Sequence, residues 1–284
     1  MSEITDRIAA ASLVHILLVL TLLTLLRGTF LATRLRFLRS CAELCESATL
    51  AIALVFLIVR PFLIQSFFIP SGSMRPTLWE NDHILVNKWV FRVQPPKRGE
   101  IVVFRSPKEA TLEEKDFIKR VIGVPGDVIE VREGYVVVGG GEKATIYTRD
   151  ALYSHLCARG CVPSPGNVVP LLRLTTDGLW LGERQYPPAQ FAELVERKGE
   201  PVVIQPGQVL RNNEVLSEGY VTEDPQYHMN PVVVPRGHLF VLGDNRNDSR
   251  DSHVWGTFPA DRVVGRADVV FWPLPHLRRI SYGW

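Results

Sequence analysis

The chain lacks an excess of either charge: 32 lysines and arginines stand against 30 aspartates and glutamates among 284 residues. A net charge of +2 gives no basic footprint for nucleic acid. Cysteine is also scarce. The four cysteines fall as Cys41 and Cys45, then Cys157 and Cys161. The second pair is a CxxxC spacing with no matching histidine or further cysteine pair, which argues against zinc. No glycine loop of the phosphate-binding kind is present, and Gly139-Gly140-Gly141 follows a valine run and reads as a turn. Asp244, Asn245, Asn247, Asp248 and Asp251 suggest a cation site at first. Arg246 interrupts the alternating ligand pattern of a calcium loop, and Arg250 adds more positive charge. Neither a metal nor a cofactor is expected.

What the chain has in abundance is apolar sequence near its start. Hydrophobic residues make up 46% of the whole, and mean hydropathy is +0.07. Ile8 to Leu26 is an uncharged run that spans about 28 Å as a helix, against a hydrocarbon core of ~30 Å. It reads as a membrane span. A cleaved signal peptide would begin with a positive region, whereas Glu3 and Asp6 flank Arg7 here, and no small-x-small site closes the run before Arg27. A second apolar stretch, residues 48–60, is short by itself and borrows from Glu43 to Ser47, so its helix begins near residue 42. Between the two spans lie Arg27, Arg34, Arg36 and Arg39. The positive-inside rule places this basic loop, residues 27–47, in the cytoplasm and everything beyond residue 60 outside.

Past residue 60 the periodicity changes. Ile84-Leu85-Val86, Ile101-Val102-Val103-Phe104, Val128-Ile129-Glu130-Val131, Tyr135-Val136-Val137-Val138, Leu239-Phe240-Val241-Leu242 and Val269-Val270-Phe271-Trp272 are short β-type runs split by Gly, Pro and Asp turns. The expected fold is mainly β, an antiparallel β-sheet body over residues 61–141 and 206–284. It is preceded by two N-terminal transmembrane helices, the first ending at residue 26. Residues 142–205 differ in composition, hold several prolines, and read as an inserted variable subdomain. Pro188 to Lys198 suits a short helix within it. In an oxidising exterior Cys157 and Cys161 are expected to form a disulfide, while Cys41 and Cys45 stay reduced. Phe62 to Ile69 is unusually apolar and suits both a groove wall and the bilayer surface.

Two polar positions inside this body propose chemistry. Ser73 sits in Pro70-Ser71-Gly72-Ser73-Met74-Arg75-Pro76-Thr77-Leu78, and Lys119 in Phe117-Ile118-Lys119-Arg120-Val121-Ile122-Gly123. A serine hydroxyl needs a proton acceptor within hydrogen-bond reach. Lysine serves only as the neutral amine, which burial among Phe117, Ile118, Val121 and Ile122 would favour. Taken singly, the first segment also reads as a turn and the second as a solvated edge charge.

A further segment, Gly243-Asp244-Asn245-Arg246-Asn247-Asp248-Ser249-Arg250-Asp251-Ser252-His253, gives the pair a context. With Ser71-Gly72-Ser73-Met74, Arg98-Gly99-Glu100-Ile101-Val102-Val103-Phe104 and Lys119-Arg120-Val121-Ile122-Gly123-Val124-Pro125-Gly126-Asp127, taken in this order, the chain resembles the type I signal peptidases. These are membrane-bound Ser/Lys proteases that remove signal peptides from exported preproteins. The resemblance implies Ser73 as nucleophile, Lys119 as general base, and Ser71 with the Ser73 amide as oxyanion hole. It implies Ser249 as the residue orienting the lysine and Asp251 as a support. It implies Ile69, Pro70, Met74, Leu78, Phe117 and Ile118 as walls of the pocket for the residue before the cut, and Phe67, Ile84 and Val103 for the pocket two residues upstream. Cleavage then follows small side chains of the Ala-x-Ala type. The family usually has arginine where this chain has His253, so the partner of Asp251 differs here.

The implied partners are preprotein signal peptides and membrane lipid. The implied location is the bacterial inner membrane, multi-pass, with the catalytic body on the periplasmic side. Other classes stay open: a Ser/His/Asp hydrolase using His253 or His83, a related Ser/Lys processing peptidase of pilin or repressor type, and a non-enzymatic membrane-anchored β module. The sequence carries nothing on oligomeric state.

Overall fold

The first helix, α1 (Leu13–Ala32), follows from a leucine-rich segment with no charge before Arg27. Its threonines satisfy themselves: Thr21 Oγ1 donates to the Leu17 carbonyl at 2.8 Å and Thr24 Oγ1 to that of Leu20 at 2.7 Å. Such internal pairing is what an apolar surrounding demands. Leu18, Leu22 and Leu25 are more than half exposed on the protein's own surface, which in water would be a liability. The second helix, α2 (Arg36–Ala53), continues into a wider helical stretch at Leu54–Val59. His15–Ala32 and Phe37–Leu57 are each long and apolar enough to cross a membrane, which supports membrane association.

The computed structural model describes residues 13–33, 36–59, 63–111, 115–158, 172–175, 178–181 and 184–282. The front of the expected first span, Ile8 to Ser12, lies outside them, as do Arg60-Pro61 and Cys161, and with Cys161 the expected disulfide. Residues 27–47, expected as a loop, are helical over 27–32 and 36–47. Only Gly28 and no proline interrupts that stretch. Its charges pair across the two helices, Arg27 Nη2 meeting Glu46 Oε2 at 3.0 Å.

The described residues form two compact units. The first comprises residues up to 68, 82–95 and 265–279. Besides the helices it holds an antiparallel ribbon. Ile64–Phe68 pairs with His83–Asn87 so that Phe67 faces Ile84, and His83–Asn87 pairs in turn with Val263–Trp272. Alternation along His83–Asn87 buries Ile84 and Val86. Gly265 permits the close approach of these strands, since a Cβ there would stand 2.6 Å from the Asn87 carbonyl oxygen.

The second unit comprises residues 69–81, 96–264 and those from 280 on. Ile101–Arg105 pairs antiparallel with Asp116–Gly123, which pairs antiparallel with His238–Leu242. Ile101 to Phe104 are buried on both faces. A second sheet runs Glu214–Val215, Gln208–Arg211, Val128–Arg132, Met229–Val233. Ile122, Ile129, Val131, Val209, Val234, Phe240 and Leu242 pack as one core beside it. The sheets are mainly antiparallel, and this mainly β architecture with two apolar N-terminal helices is the one expected.

The region around residues 142–205 has a core of its own. Val136, Val138, Leu152, Leu156, Leu174, Leu179, Phe191 and Val195 fill it. The strand Tyr135–Val138, upstream of that interval, is the middle one between Val202–Gln205 and Thr145–Thr148. Helices Arg149–Ala158 and Pro188–Leu194 supply the rest, the latter starting on the expected proline.

Candidate active site

Ser73 lies in the middle of a single tight turn, Gly72–Met74, whose neighbours on either side are extended. Met74 and Leu78 are fully buried and anchor the turn, with the Leu78 amide donating to the Met74 carbonyl at 2.9 Å. Lys119 comes from a strand whose partner is Ile101–Arg105, Val102 facing Lys119 and Val103 facing Ile118. The strand buries the lysine to 5% exposure. Its Nζ reaches Ser73 Oγ at 2.7 Å and the Ile118 carbonyl at 2.9 Å. Burial pulls the amine down to about 8, opposed by the charges of Asp251 and Asp244. Near neutral pH the ammonium donates to the hydroxyl; once deprotonated it accepts from it.

Ser71 Oγ is 3.5 Å from Ser73 Oγ, on the strand-like residue just before the turn. Phe117 and Phe104 meet edge to face at 6.1 Å, and Lys119 Nζ lies 6.0 Å from the Phe117 ring centre. Ile69, Met74 and Val103 are buried in this unit, while Phe67 and Ile84 face each other across the ribbon of the first unit.

The loop from Gly243 to Asp251 grips the Ser73 turn by its backbone. The Asn245 amide donates to the Ser73 carbonyl at 3.1 Å, and Asn245 Nδ2 to that of Gly72 at 3.1 Å. Asp251 is fully buried: Oδ2 accepts from the Gly243 amide at 2.8 Å, and Oδ1 accepts from the His253 amide at 3.2 Å and lies 2.8 Å from His253 Nδ1. Histidine therefore occupies the contact anticipated for it. Tyr227 stacks on its ring at 4.1 Å. Ser249 differs from expectation: its Oγ is buried without a hydrogen-bond partner among the described residues, so no bond from it to Lys119 is formed. It fills the space against the Gly243 α-carbon instead.

The sequence reading passed over a set of buried charges around the site. Arg120, next to Lys119, makes a two-pronged pair with Asp244 at 2.8 and 2.7 Å, and its Nη1 donates to the Gly99 carbonyl at 2.8 Å. Thr77 Oγ1 donates to the same carboxylate at 2.5 Å. Arg246 pairs with Glu218 at 2.6 and 2.7 Å. The one signal in the sequence was a charge flanking the lysine within an apolar strand, matched by Asp244 in the later motif. The rival Ser/His/Asp arrangement has its histidine on an aspartate, yet the nitrogen on Ser73 Oγ is that of Lys119.

A family model described as signal peptidase, peptidase S26, matches residues 41–272. The chain belongs to this family. Signal peptidase I of Aquifex aeolicus is 33% identical over 255 residues, covering 81% of this chain and 90% of that protein. Signal peptidase I of Leptolyngbya laminosa is 30% identical, covering 78% and 76%. The Pseudomonas fluorescens signal peptidase I is 31% identical, covering 80% and 72%. The family match includes the turn of Ser73, the Lys119 strand and the Gly243 loop, so the buried Ser–Lys contact belongs to a signal peptidase.

Proposed function

We propose that this signal peptidase removes N-terminal signal peptides from exported preproteins with a Ser/Lys dyad, Ser73 attacking and Lys119 moving the proton. The 2.7 Å contact of a buried, easily deprotonated lysine with Ser73 Oγ carries this reading. As Oγ bonds to the scissile carbonyl carbon, its proton passes to Lys119 Nζ. The oxyanion is met by the Ser73 amide and the Ser71 hydroxyl. The tetrahedral adduct collapses by breaking the C–N bond, and the departing amine takes the proton from Lys119. Water then adds to the acyl-serine, giving its proton to Lys119, and the acid leaves as Ser73 is restored.

In this reading Ile69, Pro70, Met74, Leu78, Phe117 and Ile118 wall the pocket before the cut. Apolar walls of this kind admit small uncharged side chains and reject charge, which fits Ala-x-Ala cleavage. Asp251 holds the loop through Gly243, and Ser249 packs behind the nucleophile. The apolar helices would set both termini and the catalytic body on the outer side of the bacterial inner membrane, with the arginines between the spans inside. Residues 142–205 form the inserted subdomain, built around the strand Tyr135–Val138 that precedes them.

The test is incubation of the purified, detergent-solubilised protein with a preprotein and mapping of the cut by mass spectrometry. A single cut after a small residue at the signal-peptide boundary is expected. Preproteins left intact would refute the reading.

A further inference from the structure

Base and nucleophile are 46 residues apart in sequence, and the chemistry needs their atoms at hydrogen-bond distance. Each has a buried arginine beside it. Arg120 adjoins Lys119 on its strand and pairs with Asp244. Arg246 donates from Nε to the Gly243 carbonyl at 3.0 Å, and Gly243 backs the Ser73 carbonyl. Neither arginine is more than 1% exposed along its side chain.

One short stretch of chain touches both. Glu218 takes the two Nη groups of Arg246 at 2.6 and 2.7 Å. Two residues on, the Tyr220 hydroxyl donates to Glu218 Oε1 at 2.5 Å, and its ring lies 3.8 Å from the Arg120 guanidinium carbon. Burial and the Glu218 charge push the phenol well above its ordinary range, so it stays a donor. The run of contacts is unbroken: Asp244, Arg120, Tyr220, Glu218, Arg246, Gly243. We propose that Glu218 and Tyr220, which lie outside all four family-like segments, are positioning residues. They tie the Lys119 strand to the loop holding Ser73 and thereby fix the dyad's separation.

Desolvating two ions consumes most of their attraction, so a buried pair such as Glu218–Arg246 adds little net stability. Its contribution here is geometric: the planar guanidinium spends two nitrogens on Glu218 and the third on Gly243. That distinction makes the proposal testable.

The inference rests on the dyad assignment, and the full-length protein in detergent serves for both. Steady-state cleavage of a preprotein gives kcat and KM, and hydrogen exchange follows the Asn245 amide, the donor to the Ser73 carbonyl. Glu218→Ala is expected to lower kcat about tenfold or more while KM stays within about twofold, and to speed exchange at Asn245. Glu218→Gln combined with Arg246→Met removes both charges together, so melting temperature recovers. kcat is expected to stay low, because Arg246→Met takes away the donor to the Gly243 carbonyl. Tyr220→Phe keeps the ring under Arg120 and should lose less than Tyr220→Leu. A double variant with native kcat and native Asn245 protection would overturn the proposal and leave the pair a purely structural feature. A wild-type protein that cuts no preprotein would instead defeat the dyad reading, while Asn245 exchange would still decide the tether.

Discussion

Gly243 stands so close behind Ser73 that a Cβ on it would lie 2.4 Å from the Ser73 carbonyl oxygen and 2.3 Å from Ser249 Oγ. The serine hydroxyl can rotate away; the carbonyl is backbone and cannot. Gly243→Ala must therefore push the loop off the Ser73 turn and break the 3.1 Å bond from the Asn245 amide. Overpacking of this kind costs about 1 to 3 kcal/mol. We expect a lowered melting temperature and a loss of cleavage larger than the loss of stability explains, measured by preprotein turnover well below the melting point. Native turnover in Gly243→Ala would show that the loop does not hold Ser73.

The dyad itself is tested by removing its parts. Ser73→Ala and Lys119→Ala should each abolish cleavage, and the double variant should be no worse than either, because residues acting as a unit are not additive. Lys119→Arg should also be inactive, since guanidinium holds its proton at any working pH. Survival of activity in Lys119→Ala, with loss in His253→Ala, would transfer the base role to histidine.

Much of this was legible because it was local. Short apolar runs between turn residues marked the strands, and the two hydrophobic runs marked the helices, since each signal resides in neighbouring residues. Ser73 and Lys119 taken singly also read as a turn residue and an edge charge; the ordered segments that resemble the signal peptidases singled them out. Glu218 and Tyr220 were not legible. They lie in an irregular segment with no periodicity, and an acidic residue there reads as a solvated charge until its distant partner Arg246 is seen. The extent of α2 was hidden for a related reason. Charges at Arg39, Glu43 and Glu46 look like a loop in sequence, yet Glu46 finds its partner on α1.

Asp251 and His253 should differ in consequence. The Asp251 carboxylate serves two backbone amides, those of Gly243 and His253, besides the imidazole. Asp251→Ala leaves the buried Gly243 N–H without its acceptor and strips the cap from helix Ser252–Trp255, each worth about 1 kcal/mol or more. His253→Ala leaves both amide bonds in place. We expect Asp251→Ala to lower the melting temperature and kcat markedly and His253→Ala to do so less, with His253→Arg close to wild type. Equal losses in the two alanine variants would show that the imidazole, not the carboxylate, carries the loop.

The buried amine also makes a prediction in which stability and activity move oppositely. Burial holds Lys119 at about 8 rather than 10.5, and only the neutral form can take the Ser73 proton. kcat/KM should therefore rise with pH along a single ionisation centred near 8, provided no other group titrates first. Between pH 8 and 10.5 the unfolded chain binds more protons at this position than the folded one, so its contribution to stability becomes less unfavourable as pH rises through that window. Below pH 8 both states are protonated and the full penalty remains. The gap corresponds to roughly 3 kcal/mol. Lys119→Met, apolar and of similar length, should consequently be inactive yet more stable than wild type at pH 6 to 7. That margin should shrink toward pH 10.5, less what the lost bond to Ser73 contributed. Denaturant unfolding of both proteins at pH 6.5 and pH 10 measures it. A variant less stable than wild type at pH 6.5, or a margin that grows with pH, would show that Lys119 is not held in the desolvated state its chemistry requires.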